Sequence, residues 1–309
     1  MPQTLPERVR TAFLRLFDPV ARWAWASVVA NSVIIFTGGV VRLTGSGLGC
    51  PEWPRCTEES FVPHSSLGIH GAIEFGNRLL TYVLVVVAIG TFVAVWRWSG
   101  TNRRVRRLAT ALALGIPAQA VLGGITVLTG LNPWIVSAHL LVSMALVSGS
   151  VLLLHRVTQH PEPTEHPPGR RLAALAYVIA WAAVVLGTIV TGSGPHAGDA
   201  STERNGFDPE MWSRIHALSV WALVAVTVAL LIVVRRTRLV VPVAVLLGVE
   251  LAQGLIGYVQ YVNDLPIALV AAHLVGAAVL MATVTWVLVR AVDVRTVEPA
   301  RQRAGSVTA

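Results

Sequence analysis

Charged residues are scarce in this chain. Only 13% of its 309 residues are charged, whereas a soluble domain carries about 25%. Apolar residues make up 54% of the sequence, and the mean hydropathy is +0.65. This composition excludes a disordered chain and argues against an ordinary soluble enzyme.

Lysine is absent, and there are only two cysteines. All 24 basic residues are arginines, and the net charge is +8. The arginines lie in short clusters between apolar runs, which suits the cytoplasmic loops of a membrane protein better than a nucleic-acid partner. Two cysteines exclude a disulfide scaffold, and the lack of a Cys-x-x-Cys-His run excludes covalently attached c-type haem.

Apolar runs long enough to cross a bilayer occur eight times. They cover residues 23–43, 72–96, 108–129, 134–154, 172–192, 212–234, 239–259 and 266–289. The sequence therefore predicts an all-α polytopic membrane protein. Alternate loops, together with the two ends of the chain, hold 19 of the 24 arginines. The positive-inside rule then places both termini in the cytoplasm.

The two halves of the chain resemble each other. Thr-Gly-Ser-Gly follows span 1 at 44–47 and span 5 at 191–194. Spans 3–4 and spans 7–8 share one spacing: a Gln is followed by a Gly after four residues and by a His after twenty. The residues are Gln119, Gly123 and His139 in the first half, and Gln253, Gly257 and His273 in the second. We therefore predict two repeated four-helix bundles, residues 1–160 and 161–309, joined by a Pro-rich cytoplasmic linker at 156–171.

Three histidines lie inside spans 4, 6 and 8, at positions 139, 216 and 273. All three spans run from the outer to the inner face of the membrane. With a helical rise of about 1.5 Å per residue, each His lies about 8–12 Å inside the outer boundary of the membrane. A hydrogen bond to a neighbouring helix would explain any one of them, but three at one depth favour a cofactor. Zinc or copper would require further thiolates or carboxylates, so we predict haem iron, ligated in the second bundle by His216 and His273.

The first bundle has fewer imidazoles. His139 is its clear candidate, and the position in span 2 that matches His216 holds Asn77. His70 lies on the same helical face if the helix begins that early, and Glu74 lies between the two. This asymmetry predicts one stable haem site and one that holds haem loosely.

Two acidic residues near or inside the spans each allow two interpretations. Glu74 is either an acid or base at a haem edge or an interfacial partner of Arg78. Glu250, in the middle of span 7, is either part of a proton path or a hydrogen-bonded structural acid. Three arginines near the outer interface could bind haem propionates or lipid phosphate; they are Arg42, Arg78 and Arg214.

Cys50 and Cys56 lie six residues apart in an outward-facing loop. The compartment is oxidising and the spacing permits a disulfide. Its role could be structural or could be redox exchange with a thioredoxin-like donor.

Taken together, these residues resemble the haem A synthase family. The resemblance lies in the segment 44–56 (Thr-Gly-Ser-Gly-Leu-Gly-Cys-Pro-Glu-Trp-Pro-Arg-Cys), in 73–78 (Ile-Glu-Phe-Gly-Asn-Arg) and in the duplicated bundle with its three histidines. It implies oxidation of the C8 methyl of haem O to a formyl group, a haem b ligated by His216 and His273, and a substrate haem ligated by His139. Glu74 matches the family's essential glutamate, and Asn77 stands where the family pattern has a His. The loop 193–211 lacks the second cysteine pair that is common in the family.

The resemblance also implies a bacterial cell membrane location and a set of partners. These are the farnesyltransferase that makes haem O, cytochrome oxidase assembly factors and a thiol–disulfide electron donor. Two other functions compete with this one. One is a di-haem b-type electron carrier without turnover, and the other is a transporter built on the repeat.

Overall fold

The computed structural model describes residues 19–158 and 167–292, and its regular elements in these ranges are all helical. Within these ranges, eight helices are long and apolar enough to cross a membrane, which confirms the predicted all-helical membrane fold and makes the chain a multi-pass membrane protein. Their bounds are α1 Pro19–Leu43, α2 Gly68–Arg97, α3 Arg103–Leu128, α4 Pro133–Thr158, α5 Pro167–Ser193, α6 Pro209–Val234, α7 Val240–Val262 and α8 Ile267–Val292.

Two helices begin at a polar capping residue that lies before the first residue of the predicted apolar run. The side chain of Asn102 accepts hydrogen bonds from the backbone N–H groups of Arg104 and Val105, so α3 starts at Arg103 instead of at residue 108. Asp208 caps α6 in the same way, with Pro209 in the first turn.

The predicted linker at 156–171 is shorter in the structure. The chain is helical up to Thr158 and again from Pro167, because proline is tolerated in a first helical turn. The remaining residues, 159–166, and the predicted domain boundary at 160 lie outside the described residues.

Each half of the chain forms the same set of helix contacts. In the first half α1 and α3 each contact α2 and α4, and in the second half α5 and α7 each contact α6 and α8. The halves meet where α8 contacts α1 and α4 and where α4 contacts α5. Ile35, Met144 and Val147 from the first half join the buried core of the second half. The two-bundle division remains a prediction, and these matched contacts support it.

The end of the helix array that carries loops 44–67, 129–132, 194–208 and 263–266 is called the disulfide end here. Leu131 and Leu265, which are 134 residues apart, both have positive φ angles, 60° and 57°. The N–H of each donates at 2.8 Å to the carbonyl five residues earlier, on Thr126 and Gln260. A left-handed residue is a common way to end a helix, and here it turns the chain into α4 and α8.

Candidate functional site

The histidine pair of the second half lies between α6 and α8. The ring centroids of His216 and His273 are 6.4 Å apart, and the ring planes are inclined at 83°. His216 donates from Nδ1 to the carbonyl of Ala183 at 2.9 Å, which leaves Nε2 as the nitrogen with a free lone pair. Two metal–imidazole bonds of about 2 Å each, added to the two ring radii, put the centroids roughly 6 Å apart. The pair therefore fits an iron held between two imidazoles.

A glycine on a neighbouring helix makes room for each of the three histidine rings. A Cβ at Gly257 would lie 3.3 Å from Cε1 of His273, and one at Gly187 would lie 3.3 Å from Cε1 of His216. Gly123 stands in the same relation to His139, at 3.2 Å. Any side chain at these positions would push on the ring, so the glycines fix where the imidazoles lie.

His139 is the seventh residue of α4, as His273 is of α8. Its Nδ1 is buried and has no hydrogen-bond partner within the described ranges. Gln119 donates to its backbone carbonyl at 2.9 Å and to Ser143 Oγ at 2.5 Å, which ties α3 to α4 below the ring. The imidazole itself therefore stays available for a ligand.

Asn77 and His70, the two predicted partners of His139, are both engaged elsewhere. Thr37 on α1 donates from Oγ1 to Oδ1 of Asn77 at 2.7 Å. His70 is exposed in the first turn of α2, with Nδ1 2.9 Å from Oγ of Ser46. Neither hydrogen bond involves His139, and ligation of a haem iron by Asn77 or His70 remains a prediction.

Glu74 is the seventh residue of α2 and is nearly fully buried. The backbone N–H of Cys50 donates to its Oε2 at 2.5 Å, and Arg78 donates to its Oε1 from Nε at 3.2 Å and from Nη2 at 2.5 Å. The structure shows the pairing with Arg78, and the role of Glu74 at a haem edge remains a prediction. The i,i+4 pair with Arg78 is present, with the Glu74 side chain buried and the Arg78 side chain partly buried.

Arg78 uses its donors on the cysteine loop. Besides Glu74, it donates to the backbone carbonyls of Cys50, Glu52 and Arg55, each at 2.9 Å. A guanidinium has five N–H donors, and these five hydrogen bonds account for all of them. The propionate role predicted for Arg78 finds no support in this arrangement.

The other two arginines differ from each other. Arg42 donates to the carbonyls of His196 at 2.5 Å and Thr191 at 2.7 Å, and so joins the Thr-Gly-Ser-Gly segments of the two halves. Arg214 is exposed and pairs with Glu210. Propionate binding by either residue remains a prediction.

Cys50 and Cys56 form the predicted disulfide, and both are completely buried. Between them, Trp53 inserts its indole ring against Gly124 on α3, where a Cβ would overlap the ring. Gly124 adjoins Gly123, the contact of His139. The loop is thus folded into the disulfide end of the first bundle, and a reductant reaches the disulfide only if the loop opens.

Glu250 is buried in α7, where Thr227 on α6 donates to its Oε1 at 2.8 Å. Its Oε2 has no partner among the residues that the structure describes. By the repeat, the matching positions in the first half hold Ile116 and Ala88, both apolar.

Sequence reasoning missed Trp53, Thr37 and the glycine contacts of the three rings. The spacing of Gly123 and Gly257 before their histidines was visible as part of the repeat. The positions of the Trp53 and Thr37 side chains depend on tertiary contacts, which no local sequence pattern predicts.

The helices define the class of the protein, which is a multi-pass helical membrane protein. Residues 21–202 match the model of a family described as cytochrome oxidase assembly protein. The chain belongs to this family. The matched region contains Glu74, His139 and the disulfide, and it ends before His216 and His273.

Curated relatives carry the name haem A synthase. The chain is 29% identical over 132 residues to the protein of Listeria monocytogenes (strain F2365), which covers 42% of this chain and 43% of the relative. It is 33% identical over 135 residues to the protein of Lysinibacillus sphaericus, which covers 43% of each. The aligned part of the chain thus spans less than half the length of the relatives it matches.

Proposed function

We propose that this protein is a haem A synthase, which oxidises the C8 methyl of haem O to a formyl group. The observation that carries this proposal is the arrangement at the disulfide end of the first half. There, the buried carboxylate of Glu74 on α2 accepts a hydrogen bond from the disulfide-linked loop, and His139 holds the same position, the seventh, in α4. A simple electron carrier has no need of that carboxylate.

His139 would hold the iron of the substrate haem, because its ring is fixed against Gly123 and its Nδ1 is unpartnered in the described part of the chain. His216 and His273 would hold a haem b, which supplies one-electron transfer when bound. The 6.4 Å separation of their ring centroids supports this assignment.

Glu74 would act on the methyl group. Conversion of the methyl to a formyl group would take its oxygen from water and release electrons and protons, with the electrons leaving through the haem b to an external acceptor, so positive charge would develop on this carbon. A carboxylate in a water-poor site stabilises such charge and can accept a proton. Arg78 and the N–H of Cys50 hold this carboxylate in place.

The surroundings of the reaction follow from its chemistry. Haem O comes from a farnesyltransferase in the same membrane, and haem A passes to cytochrome oxidase assembly factors. We place the protein in the bacterial cell membrane with both termini in the cytoplasm, because most arginines lie in one set of alternate loops. The disulfide end then faces outward, where a thiol–disulfide donor could act on Cys50 and Cys56.

Extraction of the haems from purified protein tests the proposal. We expect haem B together with haem O or haem A, identified by mass, from cells that also make haem O. Replacing His216 or His273 by alanine should remove the low-spin haem b. Haem B alone would indicate an electron carrier, and a protein that contains no haem would overturn the proposal.

A further inference from the structure

The two halves of the protein differ at one position that matters for iron. His139 and His273 correspond to each other, and each lies against a glycine sixteen residues before it. His216, the partner of His273, has its counterpart in Asn77. The first half therefore offers one imidazole where the second half offers two.

Hydrogen bonds support the correspondence of Asn77 and His216. His216 bonds to Ala183 on α5, eight residues before the Thr-Gly-Ser-Gly segment at 191–194. Asn77 bonds to Thr37 on α1, seven residues before the segment at 44–47. Both side chains thus approach the first helix of their own half at matching heights.

Neither Asn77 nor His70 is suited to ligate an iron held by His139. The amide oxygen of Asn77 accepts the hydroxyl of Thr37, and an amide nitrogen has no free lone pair. His70 is seven residues earlier on α2, about 10 Å further along the helix axis. Its ring is held by Ser46, whose hydroxyl also bonds to Thr44 at 2.8 Å.

We propose that the first half binds its haem iron through His139 alone and leaves one axial coordination position open on the side of Asn77. This inference rests on the proposed function, because it concerns the substrate haem. The open position takes a small ligand such as carbon monoxide or imidazole. The amide nitrogen of Asn77 has no hydrogen-bond partner in the described ranges and can donate to the oxygen of bound carbon monoxide.

Carbon monoxide distinguishes the two sites in one sample. It binds to ferrous haem that has an open axial position, whereas an iron with two histidine ligands does not react. We expect the purified wild-type protein, loaded with haem O and reduced, to give a carbon monoxide difference spectrum. Exogenous imidazole should convert the same haem from high-spin to low-spin.

Four variants check the assignment. Asn77→His should supply the missing imidazole and weaken carbon monoxide binding at least tenfold. Asn77→Ala and Thr37→Val should keep carbon monoxide binding, because neither adds a ligand. His139→Ala should lose the haem O and the difference spectrum together.

The outcomes separate this inference from the proposed function. If wild-type protein retains haem O and loses it in His139→Ala, but shows no carbon monoxide difference spectrum, the open coordination position is wrong while the substrate site stands. If wild-type protein retains no haem O beyond the level of His139→Ala, the proposed function fails and this inference fails with it.

Discussion

The Glu74 carboxylate accepts hydrogen bonds from two neighbours, the backbone N–H of Cys50 in the cysteine loop and the side chain of Arg78. A substitution that keeps a hydrogen-bond acceptor but removes the charge distinguishes the role of Glu74 in holding the loop from its proposed role in the reaction. Gln keeps an oxygen for the N–H of Cys50 but can neither take a proton nor stabilise positive charge as well.

We predict that Glu74→Gln keeps haem b and bound haem O and loses haem A production. Haem A is measured by mass in extracts of cells that make haem O. Glu210→Gln is the matched control, because Glu210 forms the same i,i+4 pair with Arg214 on an exposed surface. Near-normal haem A in Glu74→Gln would reduce Glu74 to a structural partner of the loop.

Glu250 depends on a single neighbour. Thr227 satisfies one of its oxygens, and loss of that hydroxyl leaves a buried carboxyl group without a partner in the described part of the chain. Leaving a buried polar group unsatisfied costs about 1–3 kcal/mol.

We therefore expect Thr227→Val to lower the free energy of unfolding by about 1–2 kcal/mol. Equilibrium unfolding in mixed micelles measures it. Thr283→Val is the control, because Thr283 is only half-buried and its hydroxyl bonds only to carbonyls of its own helix, so its loss should have little effect. Equal destabilisation by both variants would show that the Thr227 contact is not special.

At the scale of the helices, α7 provides a paired test on one element. Gly257 lies against the ring of His273, whereas Gly254, one turn earlier, has open space around it. A methyl group at 257 pushes the imidazole, and one at 254 meets nothing.

Gly257→Ala should lower the yield of low-spin haem, because the ring moves from its ligating position. Gly254→Ala should keep the haem and add about 0.5–1 kcal/mol of helix stability. Reduced-minus-oxidised spectra of matched amounts of purified protein give the haem yield. Similar spectra for the two variants would mean that the glycine does not position His273.

The helices were largely predictable from the sequence, and the loops were not. Hydropathy located all eight spans, because about 20 apolar residues are needed to cross a bilayer. It placed the start of α3 too late, because Asn102 extends the helix through a run of arginines. The matching positions of His139 and His273, each the seventh residue of its helix, followed from the repeat in the sequence. The contact of Trp53 with Gly124 could not be predicted, because a loop lacks the regular geometry of a helix.

At the scale of the whole molecule, the two halves are joined at the disulfide end. Arg42 on α1 binds the carbonyls of Thr191 and His196, and the N–H of Gly47 donates to the carbonyl of Gly198 at 2.8 Å. His196 in turn bonds through Nε2 to the carbonyl of Leu265, at 3.0 Å. This chain of contacts runs from the first helix of one half to the last loop of the other.

Arg42→Met should lower the free energy of unfolding by about 2–3 kcal/mol, because two carbonyls lose a charged donor. Arg214→Met is the control, since an exposed ion pair contributes at most about 1 kcal/mol. Thermal unfolding in detergent, followed by size-exclusion chromatography, reports the difference. A loss no larger than that of the control would show that Arg42 does not hold the halves together.

The contact of α1 with α8 has a consequence for the order of biosynthesis. Gly39 on α1 lies directly against Leu274 on α8, next to His273. Because α1 is synthesised before α8, the part of its surface that contacts α8 stays uncovered until α8 has been made. His273 lies on α8 as well. The proposed haem site of His216 and His273 therefore becomes complete only when α8 joins the other helices, so the helix array and this site are completed in the same step.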